Sequence, residues 1–268
     1  MKKKTWVKIP RSQLDINIIV VTKGFILVYI KKTYKMTNCI EIEKCYTARY
    51  NIKGMKHNKK SKPTPEAMAK YNKKKATDEL RRIILANFTG GWHLVLTYDK
   101  RKRPSVHEAE KRVKNFIRRI KYHLQKAGFD FKWVLVTEYE GKAIHHHLLI
   151  ENVVGIIELV IKHWRFGFPN FTPVDEVDVQ TLAEYLIKET DKTFRLDNGG
   201  RKQRFTHSRN LIIPQPKIEI IFSNEFRKDP QTIKGYILAT DSILNGISEV
   251  TGYAYQSYRL IKLQKRRI

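Results

Sequence analysis

Between residues 105 and 128 the chain carries its clearest periodic pattern. Val113, Phe116, Ile117, Ile120 and Leu124 recur at helical spacing, while Lys111, Arg118, Lys121 and Lys126 point the other way. Ser105 and Glu108 are spaced as a capping box, and Gly128 supplies a left-handed stop. A second helix is predicted from Thr64 as N-cap and Pro65 at its first position, with Leu80, Ile83, Ile84 and Phe88 on the buried side. "WHLVLTY" (92–98) follows Gly90-Gly91 and reads as a central strand. Strands over 131–139 and 144–151 flank a turn at Glu140-Gly141 and are expected to pair as an antiparallel hairpin. "IIELVIKHW" and "DVQTLAEYLIKET" then read as helices. Nearer the start, "INIIVVTKGFILVYI" is broken at Thr22-Lys23-Gly24 and reads as two strands with a tight turn, not a membrane span; a further turn is expected near Asn38. The β-α-β-β-α order predicts an α+β fold: an antiparallel five-stranded sheet, ferredoxin-like or split-βαβ-like, with helices on its faces.

No internal repeat is visible. The pattern divides the chain into a basic N-terminal extension of strands and a helix (1–86), a central domain (87–220) and a C-terminal appendage (221–268) bearing Tyr253, Tyr255 and Tyr258. Charge sharpens this picture. Lys and Arg number 53 against 26 Asp and Glu, a formal charge of +27, which favours polyanionic partners and nucleic acid first among them. With 41% hydrophobic residues the chain is no disordered polycation. The lysines of "NIKGMKHNKKSKPTPEAMAKYNKKK", including Lys59, Lys60, Lys73 and Lys74, are suited to phosphates without sequence preference. Arg201, Lys202 and Arg204 in "RLDNGGRKQRF" form a second basic stretch expected to touch the DNA backbone. Cys39 and Cys45 form a lone CxxxxxC pair, which reads as plain reduced thiols, and the expected location is cytoplasmic.

"AIHHHLLI" places polar rings where a buried strand wants aliphatic ones. Alternation puts His145 and His147 on one face and Ile144, His146 and Leu148 on the other. Two imidazoles so placed suit a divalent metal. Glu138, seven residues before His145 across the hairpin turn, reaches the same face if the register allows. Two nitrogens and one carboxylate with open positions describe a catalytic centre; zinc tolerates such ligands, and manganese or magnesium fits if phosphate oxygens and water complete the shell. His146 is assigned no chemistry.

A divalent cation in a basic protein favours phosphodiester chemistry, since it polarises a phosphoryl oxygen and shields its charge. In "AEYLIKET" Tyr185 and Lys188 stand three apart on one helical face. A nearby ammonium and metal would favour the phenolate of Tyr185, and Lys188 could also hold the leaving phosphate.

In these three stretches the chain resembles the HUH-type rolling-circle replication initiators of bacterial plasmids and phages. "HLVLTY" (93–98) is similar to their first motif, "HHH" with Leu148 and Leu149 to the second, and "YLIK" (185–188) to the third, in the family's order. The resemblance spans about Asn87 to Pro214 if "HSRNLIIP" is counted as the tail. It departs at His146, where a hydrophobe is usual; His146 in place of a neighbour is the alternative ligand, and the Glu138 spacing favours 145 and 147. The resemblance implies the HUH endonuclease fold for 87–220. It implies that Tyr185 cleaves one strand of single-stranded or hairpin origin DNA, leaving a 3′-hydroxyl and a 5′-phosphotyrosine link that a later 3′-hydroxyl rejoins. One Mn2+ or Mg2+ ion would serve it. No GxxxxGK[ST] loop occurs in the sequence, so unwinding is expected from a host helicase ahead of the polymerase.

Two other readings compete. A single-tyrosine transposase or relaxase shares the chemistry, although relaxases usually place the tyrosine before the histidines. A non-catalytic basic nucleic-acid-binding protein explains the charge but leaves Glu138, the histidines and the Tyr-Lys pair as coincidence. Oligomeric state is not written in these motifs.

Overall fold

The computed structural model describes residues 28–47, 62–138, 143–176, 178–196, 204–222 and 226–263. The turn expected at Thr22-Lys23-Gly24 and the residues Lys59, Lys60, Arg201 and Lys202 lie outside them. Among the described residues two antiparallel five-stranded sheets and four helices make an α+β architecture.

The central sheet runs in the order β6-β3-β5-β4-β7, built from β3 (Trp92–Leu96), β4 (Trp133–Glu138), β5 (His145–Ile150), β6 (Pro169–Pro173) and β7 (Thr206–His207). The expected hairpin pairs Trp133 with Ile150 and Glu138 with His145. Strand β6 escapes a reading of hydrophobic pattern because "PNFTP" begins and ends in proline; such a segment is tolerated at a sheet edge, where it lies.

Helices cover both faces. On one side α2 (Val106–Lys126) and α3 (Ile156–His163) pack Val113, Phe116, Ile120, Leu124 and Val160 on Leu94, Leu96, Leu135, Leu148 and Ile150. The other side packs Val134, Val136 and Leu149 beneath α1 (Pro65–Asn87) and α4 (Val179–Leu196), through Leu80, Ile83, Ile84, Phe88, Ala183, Leu186 and Ile187. The caps follow the sequence. Thr64 Oγ1 accepts from the Ala67 amide and Ser105 Oγ from the Glu108 amide. The Glu108 carboxylate turns outward to Arg112 Nε at 3.1 Å. Gly128 has φ +81°, as the stop of α2 requires.

The second sheet joins the two ends of the chain: β8 (Lys217–Phe222), β1 (Val28–Lys35), β2 (Cys39–Tyr46), β10 (Ala254–Lys262) and β9 (Tyr236–Ile247), in that order. The appendage beyond residue 221 therefore supplies strands, and Tyr258 is buried with Ile40, Ile42 and Leu260. The β1–β2 turn falls where Asn38 was expected to bend the chain, closed by the Met36 amide donating to Cys39 carbonyl at 2.8 Å. Both cysteines are free thiols.

Charge fastens this sheet to α1. Arg81 Nη2 meets Glu41 Oε2 at 2.6 Å and Arg81 Nη1 meets Asp78 Oδ1 at 2.8 Å. Arg82 reaches both Glu41 and Glu43, and its guanidinium lies 3.7 Å from the Tyr34 ring centre. Glu41 and Arg81 are buried, and mutual pairing is what makes that burial tolerable. No described helix is long and apolar enough to cross a membrane.

Candidate active site

Register decides which side chains meet. Glu138 stands directly across from His145 and Val136 across from His147, so Glu138, His145 and His147 share the face covered by α1 and α4. The position that the sequence left conditional is thus met. His146 points to the opposite face and is fully buried. Its Nε2 lies 2.9 Å from the Tyr98 hydroxyl and its Nδ1 3.0 Å from Thr137 Oγ1. Both nitrogens are engaged in the α2–α3 layer, away from Glu138, which removes His146 as an alternative ligand.

Two atoms of His147 have different fates. Nδ1 lies 3.2 Å from His93 Nε2, with the rings stacked. Nε2 is buried, has no hydrogen-bond partner among the described residues, and stands 3.7 Å from Glu138 Oε2. That distance is too long for a hydrogen bond. Burial, reinforced by His145, pushes the His147 pKa down to about 4, while Glu189 opposes the shift. His93 is likewise held at about 4 by burial and then by His147. Both rings are neutral at pH 7, so each has one nitrogen with a free lone pair, the form a metal ligand needs.

Tyr185 projects from α4 against the same imidazole. Its ring is edge-on to His147, with centres 5.4 Å apart, and it is 42% exposed, enough for a substrate to reach the hydroxyl. Its electrostatic setting differs from the sequence expectation. Lys188 is exposed on the next turn, and the Tyr185 pKa is raised, by desolvation first and then by the carboxylates of Glu189 and Glu138. The chain's own charges therefore disfavour the phenolate.

The donor set fits a divalent cation in part. A buried imidazole nitrogen without a partner, facing a carboxylate with a second histidine on the same face, is a pair of ligands with a gap between them. Among the described residues no three His, Cys, Asp or Glu side chains stand ready-made as a metal cluster.

Of the expected DNA contacts, Lys74 is paired with Asp78 at 2.7 Å, and Lys73 and Lys74 line a cleft between α1 and the second sheet together with Arg259. Arg204 is partly buried just before β7. His93 and Glu189 were not singled out as site residues by sequence reasoning. Both carried a signal: His93 sits two before Val95 on the face His147 shares, and Glu189 stands four after Tyr185 on one helical face.

Residues 91–194 match the family model of the replication-associated proteins of the ORF2 type. No curated protein and no solved structure matches the chain. The matched stretch runs from the start of β3 into α4 and contains His93, Glu138, His145, His147, Tyr185 and Glu189. It supports reading this chain as a replication initiator.

Proposed function

We propose that the chain is an HUH-type endonuclease that nicks and rejoins one DNA strand through Tyr185, initiating rolling-circle replication of a plasmid, phage or other mobile element. One observation carries the reading: the nucleophile candidate Tyr185 packs on His147, whose orphaned Nε2 faces Glu138. His147, His145 and Glu138 would hold one Mn2+ or Mg2+ ion. Such an ion, when bound, polarises the scissile phosphate and offsets its negative charge.

The remaining work falls to the chain's own groups. The Tyr185 oxygen attacks phosphorus, the P–O3′ bond breaks, and a 5′-phosphotyrosine forms while the departing oxygen takes a proton to become the 3′-hydroxyl. The phenol's proton passes to a carboxylate; Glu189 and Glu138, which raise the Tyr185 pKa, are the bases at hand. Lys188, exposed on α4, is placed to meet a phosphate oxygen. Attack by a later 3′-hydroxyl reverses the sequence, so no ATP is consumed. The substrate would be single-stranded or hairpin origin DNA in the cytoplasm, with a host helicase and polymerase acting alongside.

The test is incubation with single-stranded origin-proximal DNA and Mn2+. A covalent protein–DNA adduct is expected from the wild-type chain and lost in Tyr185→Phe and His147→Ala. Adduct formation by Tyr185→Phe rejects the nucleophile, and no adduct from the wild-type chain rejects the activity.

A further inference from the structure

A large aromatic ring stands in the open beside this site. Phe168 is 82% exposed, immediately before edge strand β6. A lone exposed hydrophobe is ordinary. The fixing of this one is not. The Thr97 amide donates to the Phe168 carbonyl at 3.3 Å and Thr97 Oγ1 donates to it at 2.9 Å. The Phe168 amide is 3.3 Å from Thr97 Oγ1, and one step on the Asp99 amide donates to the Phe166 carbonyl at 2.8 Å. Trp164 Nε1 donates to the Thr97 carbonyl at 3.0 Å. Gly167 lets the backbones approach this closely, since a Cβ there would sit 2.3 Å from the Thr97 carbonyl oxygen.

These bonds extend the β3–β6 ladder one rung past Leu96 and Pro169 and bring Phe168 opposite Thr97. The same rung, one beyond the pairing of Leu96 with His146, continues through His145 to Glu138. Alternation then places Phe168 on the face of Glu138, His145 and His147, two strand spacings or about 10 Å from His145. Its neighbours on that face of β6, Asn170 and Thr172, are exposed as well. Phe166 and Phe171, by contrast, turn inward to the α2–α3 core. The sheet thus continues past the histidines as an uncovered shelf with one rigidly held ring at its rim.

We propose that Phe168 is a stacking platform for an unpaired base of the strand held at the Tyr185 site, so that the substrate is single-stranded there. A pre-fixed ring offers its face to any base without an ordering cost, and stacking tolerates every sequence. This inference rests on the reading of the site as one for DNA and specifies how the strand is gripped.

Its test reads binding, not cleavage. The full chain is titrated, in EDTA so that no strand is cut, with fluorescent oligothymidylate and with an abasic oligonucleotide of equal length and charge. Wild type is expected to prefer the base-bearing strand by on the order of tenfold. Phe168→Ala should lose most of that preference with an unchanged salt slope and urea midpoint, Phe168→Trp should keep it, and Tyr122→Ala, an exposed aromatic on α2, should leave it intact. The inference is overturned if wild type shows no preference, if Phe168→Ala retains it, or if Tyr122→Ala loses as much. An unchanged preference in Phe168→Ala beside normal adduct formation sinks this inference alone. An intact, Phe168-dependent preference without any adduct sinks the nicking reading alone.

Discussion

His93 Nε2 lies 3.2 Å from His147 Nδ1, across neighbouring strands β3 and β5. The contact assigns the tautomers if His147 ligates a cation: Nε2 must then offer its lone pair, so Nδ1 carries the proton and donates it to His93. A ligating histidine is usually held in this way by an acceptor behind it. His93 is accordingly a positioning residue for His147.

Replacing His93 by Leu is expected to weaken Mn2+ binding about 10- to 100-fold, the range seen when such an outer partner is removed. Titration of the full chain with Mn2+, following the free ion by electron paramagnetic resonance, measures this. Equal affinity in His93→Leu and wild type would remove His93 from the site.

Metal should also report through stability. A ligand bound only by the folded chain adds about 2.7 kcal/mol at a hundredfold excess over its dissociation constant. Mn2+ is therefore expected to raise the melting temperature of the wild-type chain and not that of His147→Ala, and EDTA should reverse the rise and stop adduct formation. A shift of equal size in His147→Ala would place the ion elsewhere.

Three buried histidines make the metal-free chain acid-sensitive. Burial holds His93 and His147 at about 4 and His146 at about 3, against an ordinary value of 6.5. Below pH 6.5 the unfolded chain takes up protons that the folded chain refuses, so stability falls as the pH drops from about 6.5 toward 4 and is fully present above that window. Each proton contributes about 1.4 kcal/mol per pH unit. Urea midpoints in EDTA at pH 7 and pH 5 should differ accordingly, and His146→Gln should flatten the slope; identical midpoints would contradict it.

Glu41 is the anchor between α1 and the second sheet. Glu41→Ala leaves Arg81 buried with Asp78 as its remaining charged partner, and loss of one partner in a buried ion network costs about 3–5 kcal/mol. Chemical denaturation checks this. A change below about 1 kcal/mol, the range of an exposed pair, would mean that the network is solvated.

Much of the architecture around the site was legible in the chain. The α2 stripe from Val113 to Leu124, the Thr64 and Ser105 caps and the Gly128 stop are local devices, satisfied by residues within a turn or two. The α+β class and the placing of His145 and His147 on one face follow equally from periodicity, because alternation along a strand needs no partner to be known. Strand β6 was not legible, since edge prolines carry no hydrophobic alternation.

By itself, then, the sequence determined the helices, the paired strands and the candidate chemistry of Glu138, His145, His147 and Tyr185. Tertiary structure alone decided the rest. Strand register put Glu138 opposite His145 and turned His146 toward Tyr98. Packing of α4 on the sheet brought Tyr185 to His147 and surrounded it with carboxylates in place of the expected lysine. The pairing of β2 with β10 joined residues some two hundred positions apart into one sheet. The physical reason is common to all three: periodicity is set by the backbone of each segment, whereas burial, contact and charge environment depend on which distant segments close upon it.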